Sequence, residues 1–174
     1  MLKRSTLTAV AFCAVPLLAS AQSMSGAPLT AQDRMFIQHA AYAGLAEVSD
    51  GNLAESKGSS AVKAIGTRMV TDHTKVNDQL ASLSKQLGDP APTMTDATHL
   101  KMHMALELHT GTVFDTHYLE DEMLGHEKTI ALFKMEVQDG GNTQLKTLAS
   151  DTLPTLQMHL NMIEAAMKSS TKTM

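Results

Sequence analysis

Apolar side chains recur along this chain at alternating steps of three and four, the period of an amphipathic helix, in four separate stretches. The cleanest runs Val62, Ile65, Met69, His73, Val76, Leu80, Leu83 and Leu87, and predicts a helix over residues 61–87. Phe36, Ala40, Ala43, Glu47, Gly51 and Ala54 predict an earlier helix over 31–57, opened by Thr30 and Asp33 at capping-box spacing. Leu119, Glu122 or Met123, His126, Ile130, Phe133 and Val137 predict a third long helix over 111–138. Leu145, Ala149, Thr152, Leu156, His159, Ile163 and Ala166 predict a fourth over 143–168, with a kink expected at Pro154. The breaks fall at Gly58-Ser59-Ser60, at Gly88 to Pro92, and at Asp139-Gly140-Gly141-Asn142. The connection over 93–110 reads as partly helical, from 96 to 109, and residues 169–174 read as a frayed tail. Four stripes on helices of similar length are buried most simply in an all-α four-helix bundle over 30–168.

The N-terminus changes this picture only by removing residues from it. Lys3 and Arg4, the apolar run from Leu7 to Leu18, and Ala19-Ser20-Ala21 have the order of a secretory signal over 1–21, with cleavage expected after Ala21. Residues 22–29 follow as a flexible leader. The expected location is the periplasm or the exterior, and no later stretch is long and apolar enough to span a bilayer. Cys13 is the only cysteine and lies in the signal, so the mature chain has neither disulfides nor thiolate ligands. Without Lys3 and Arg4 the fourteen basic residues become twelve against eighteen acidic ones, a formal charge of −6. That balance argues against nucleic acid and anionic membrane as partners. A homo-oligomer stays open.

Each long stripe is interrupted near its middle by a metal-capable side chain: Glu47, His73, His126 and His159. Mid-helix residues of four packed helices share one level, so three imidazoles and a carboxylate are aimed at one region. Buried groups of this kind must satisfy each other, bind water or hold an ion. Imidazole with carboxylate suits a single Fe, Zn or Cu ion. Asp72 and Glu122 are placed to stand behind the ligands as acceptors for ring N–H groups. The competing reading is a metal-free polar network that sets helix register in a structural or interaction protein. No Glu-x-x-His occurs in the chain, which argues against a standard di-iron centre. A separate, softer candidate lies in the connection, where His99, Met102 and His103 share a helical face and suit copper buffering. No nucleophile–base pair, phosphate loop or nucleophile elbow is present, so nothing in the residues argues for an enzyme.

Glu47-Val48, the run Arg68-Met69-Val70-Thr71-Asp72-His73-Thr74-Lys75, Phe114-Asp115 with Tyr118, His126-Glu127-Lys128, and Thr152-Leu153-Pro154 with His159 resemble a family of bacterial secreted ferritin-like domains of unknown function. The similarity covers about residues 31–167, and the Arg-Met-Val-x-Asp-His run is its most specific part. The resemblance implies a ferritin-like bundle with a longer crossover between the second and third long helices. It also implies an exported protein, periplasmic or associated with the outer membrane. It brings no activity with it.

Overall fold

Thr30 and Asp33 close the expected capping box: the Thr30 N–H and hydroxyl donate to Asp33 Oδ2 at 2.7 and 2.8 Å, and the Asp33 N–H donates back to Thr30 Oγ1. They start α1 (Ala31–Lys57), followed by α2 (Ser60–Gln86), α3 (Ala97–Glu107), α4 (Gly111–Asp139) and α5 (Thr143–Lys172). The computed structural model describes residues 28–172, over which there is no strand and no helix long and apolar enough to cross a membrane. The expected signal over 1–21, its cleavage site, Cys13 and most of the leader lie outside the described residues. α2 and α4 meet expectation to within one residue at each end, and two helices differ by more. The α3 helix is shorter than 96–109, because the Asp96 side chain caps it by accepting from the Thr98 and His99 N–H groups. The α5 helix runs uninterrupted through Pro154 and continues to Lys172, four residues beyond the expected end.

Contacts at the helix ends set the directions. Arg34 pairs with Asp89 at 3.1 Å, and Asp33 Oδ1 accepts from the Gly141 and Asn142 N–H groups, so α1 begins where α2 and α4 end. At the other end the Ser59 N–H donates to Asp115 at 3.0 Å. α2 and α4 therefore run the same way, and the chain between them must travel back along α1. It does so in steps: the Ala91 N–H donates to Ser84, Thr95 to the Tyr42 carbonyl, His103 pairs with Asp50, and Lys57 donates to the Glu107 carbonyl. α1 packs on α2 and α4, α5 packs on α4 and α2, and α3 lies against α1 and α4.

The apolar core forms two clusters. One surrounds Phe36, Leu80, Phe133, Leu145 and Leu156, and the other Val62, Ile65, Met69, Phe114, Tyr118 and Ile163. The buried polar side chains Glu47, His73, Glu122, His126 and His159 fall between the two clusters along their helices. α1 and α2 are held close there by two glycines. A Cβ on Gly66 would fall 2.6 Å from the Gly51 carbonyl oxygen and 2.8 Å from Ala54 Cβ.

A second pair of acids lies at the end where α1 meets the α4–α5 turn. Burial opposes ionisation of Asp33, but hydrogen bonds from Asn142 and Thr30 outweigh it and hold the carboxyl below its usual range. Glu136 is fully buried beside it and is pushed up to about 7 by burial and by Asp33. Folded Glu136 keeps its proton up to about 7, whereas an ordinary glutamate releases it near 4.5, so over that window folding takes up a proton. Stability contributed by this site is therefore present at low pH and lost as pH rises through 7. Glu136→Gln, neutral at every pH, should match wild type in melting temperature at pH 5 and exceed it at pH 8. Melting curves that stay parallel from pH 5 to 8 would refute the assignment.

Candidate metal centre

His73, His126 and His159 come from α2, α4 and α5, each in the buried stripe of its helix and each no more than 5% exposed. Their ring centroids form a nearly regular triangle with sides of 5.3, 5.4 and 5.6 Å. Two of the rings have their tautomers set by partners that only accept. His126 Nδ1 is 2.9 Å from the Glu122 backbone carbonyl, so Nδ1 carries a hydrogen, and in the neutral ring Nε2 holds the lone pair. His159 Nε2 is 2.8 Å from Asp72 Oδ2, so Nε2 carries the hydrogen and Nδ1 the lone pair. Burial disfavours the Asp72 carboxylate, but its bonds to His159 and Arg68 prevail and keep it ionised; Arg68 Nε is 2.5 Å away.

With His126 neutral, its Nε2 and His159 Nδ1 both present lone pairs, and the two atoms are 3.3 Å apart. His73 Nε2 is buried and without a hydrogen-bond partner. Burial first, then the neighbouring His126 and His159, lower His73 to about 4 against the pull of Glu47, so it is a neutral imidazole at neutral pH. Burial lowers His159 as well, against the opposing bond to Asp72. The three rings offer ligand atoms all within 4.8 Å of one another. A tetrahedral ion with metal–nitrogen bonds of about 2.0–2.1 Å places neighbouring nitrogens about 3.3–3.4 Å apart. The separation between His126 Nε2 and His159 Nδ1 matches that edge.

Glu47 lies on the other side of His126. Its Oε1 is 3.7 Å from His126 Nδ1, while Glu122 Oε2 is 3.5 Å from the same nitrogen. Glu47, Glu122 and His126 thus form a second group joined to the first through one imidazole. Burial raises both carboxyls, but they separate. The charge of His126 and a hydrogen bond from Glu122 hold Glu47 down, whereas burial and Glu47 hold Glu122 well above the usual range. The Tyr118 hydroxyl is raised by burial and by the charges of Glu122 and Glu47.

The four residues singled out from the sequence are therefore all buried, but the structure divides them: three histidines at one point, and Glu47 with Glu122 beyond His126. Asp72 accepts from a ring N–H of the cluster, although the ring is His159 on α5 rather than its neighbour His73. Glu122 accepts the His126 hydrogen through its backbone carbonyl, leaving its side chain to Glu47. In the softer candidate in α3, His99 Nδ1 is 2.9 Å from Asp96, His103 Nδ1 pairs with Asp50 on α1, and Met102 is exposed. Arg68, Asp50 and Tyr118 were not singled out for the centre. Tyr118 stands one turn before Glu122 in the same stripe, which is the signal that marks it. Residues 18–166 match a family model described as a domain of unknown function, DUF4142. No curated protein and no solved structure matches the chain.

Proposed function

The chain belongs to the DUF4142 family, and we propose that it is an exported ferritin-like four-helix bundle holding one transition-metal ion, Fe, Zn or Cu, in an envelope metal-handling or stress role. The bundle would be α1, α2, α4 and α5, with the segment carrying α3 as the long crossover. His73, His126 and His159 are the ligands. Glu47 supplies nearby negative charge across His126, and Arg68–Asp72 orients His159. Export through the N-terminal signal, with cleavage after Ala21, places the protein in the periplasm or outside the cell.

One observation carries this reading: His126 Nε2 and His159 Nδ1 stand 3.3 Å apart beside His73 Nε2, which is buried without a hydrogen-bond partner. A buried network without an ion would have to place a second proton on His126 between the two rings, and would still leave His73 Nε2 unpaired. Copper buffering through α3 draws less support, because His99 and Met102 are open to solvent and neither His99 nor His103 is a buried group left without a partner.

The test is metal content by mass spectrometry on protein exported to a periplasm without a histidine tag or chelators. About one equivalent of Fe, Zn or Cu is expected. Protein that arrives empty and takes up none of these ions in titration would eliminate the reading. Asp72→Ala frees the His159 ring and its tautomer, and is expected to weaken metal binding by about 10–100-fold. Unchanged affinity in that variant would show that Asp72 does not orient a ligand.

A further inference from the structure

We infer that the cavity between α1, α3 and α4 is the entry route to the three histidines for a divalent transition-metal cation, with Glu47 and Glu122 as relay ligands on its floor. The inference rests on the reading of His73, His126 and His159 as a metal centre, and adds to it the path by which that centre is filled. Rings no more than 5% exposed need such a path.

Depth and contact place the route here. The cavity has a volume of about 390 Å³ and opens to solvent at Leu124, which is 45% exposed, and at Lys128. Its floor holds Glu47 and Glu122, which are 8% and 4% exposed. Glu47 Oε1 and Glu122 Oε2 stand 3.7 and 3.5 Å from His126 Nδ1, and the other nitrogen of that ring is 3.3 Å from His159 Nδ1. One imidazole thus separates the floor from the three-histidine point. Glu47, Glu122 and His126 also offer ligand atoms within 4.8 Å of one another, so the floor itself can hold a cation in transit. Carboxylate oxygens suit harder ions, whereas imidazoles suit Zn, Cu and Fe. Affinity for those ions therefore rises from the floor to the centre.

Charge separates this route from the alternative. Asp50, Asp96 and Asp121 line the cavity above the two glutamates, against one lysine, Lys128. A cleft with walls of one sign focuses the field and concentrates counter-ions. The other approach is the seam between α2 and α5, where Asp72 is the outermost carboxylate. Its Oδ2 already accepts from Arg68 Nε at 2.5 Å and from His159 Nε2 at 2.8 Å. The Arg68 side chain is 49% exposed, so the charge presented to solvent there is positive.

The experiment is stopped-flow uptake of Zn²⁺, Cu²⁺ and, without oxygen, Fe²⁺ by the metal-free mature chain, read with a chromophoric chelator. Equilibrium titration of the same proteins accompanies it. Asp121→Lys reverses a charge on the cavity wall, and Ala43→Trp places a large ring in the cavity one turn before Glu47. Each is expected to slow uptake at least tenfold at low ionic strength. Release should slow by the same factor, so the dissociation constant stays within about twofold of wild type. In 1 M salt the effect of Asp121→Lys should fade while that of Ala43→Trp persists. Lys75→Glu, on the α2 face that carries Asp72, should leave the rate unchanged. Wild-type uptake rates in either cavity variant, tenfold weaker equilibrium binding in either, or faster uptake in Lys75→Glu would overturn the route and leave the metal centre in place. Wild-type protein that takes up none of the three ions at equilibrium would instead remove the metal centre, and the route with it.

Discussion

Leucine in place of His73 is expected to abolish metal retention and yet leave the metal-free protein at least as stable as wild type. His73 Nε2 is buried with no partner, so in metal-free protein it is a cost rather than a contact. Removing an unpaired buried polar group while keeping a similar volume is neutral or stabilising, by up to about 1–2 kcal/mol. The metal-loaded wild type stands differently. An ion present at about a thousand times its dissociation constant stabilises the folded state by about 4 kcal/mol. For a chain of this size that is on the order of 10 °C in melting temperature. EDTA should therefore lower the melting temperature of wild type by about that amount and leave His73→Leu unchanged. A register-setting polar network without metal predicts the reverse: a destabilised variant, and no chelator effect on either protein. Differential scanning calorimetry of both proteins with and without EDTA separates the two readings in one series.

Gly66→Val is expected to be among the most damaging single substitutions in the chain, at about 3 kcal/mol or on the order of 10 °C. A Cβ at this position would lie 2.6 Å from the Gly51 carbonyl oxygen, and backbone cannot rotate away as a side chain can. The helices would have to separate, and with them Glu47 on α1 and His73 on α2, so metal binding should weaken along with stability. Gly125→Ala in α4 makes the control. Its Cβ would meet only Glu47 Oε1, at an ordinary contact distance of 3.4 Å. Alanine favours a helix interior over glycine by about 1 kcal/mol, so this variant should melt at or above the wild-type temperature. Thermal unfolding of the two variants side by side tests the assignment. Comparable melting of Gly66→Val and Gly125→Ala would show that the α1–α2 approach is not a steric constraint.

What was legible in the sequence is what arises within one helix. The span of α1 was readable to the residue because Thr30 and Asp33 bond to each other across three positions and the stripe behind them repeats every turn. The places of His73, His126 and His159 in buried stripes were readable for the same reason, since the face a residue occupies follows from its spacing to its own neighbours. The far end of α5 was not, because Ser169 and Ser170 continue the helix with polar side chains that leave no periodic signal.

Partnership between helices was decided only by the tertiary structure. Asp72 stands next to His73 in sequence, but successive helical residues point about 100° apart, so its carboxylate reaches His159 on α5 instead. Glu47 shares a level with the histidines, yet the rotation of α1 directs it to the Glu122 side of His126. Depth along a helix is a count of residues, and the chain alone supplies it. Rotation about the axis, and the tautomer each ring adopts, depend on how four helices and a crossover pack at once, and no single stretch of sequence contains that information.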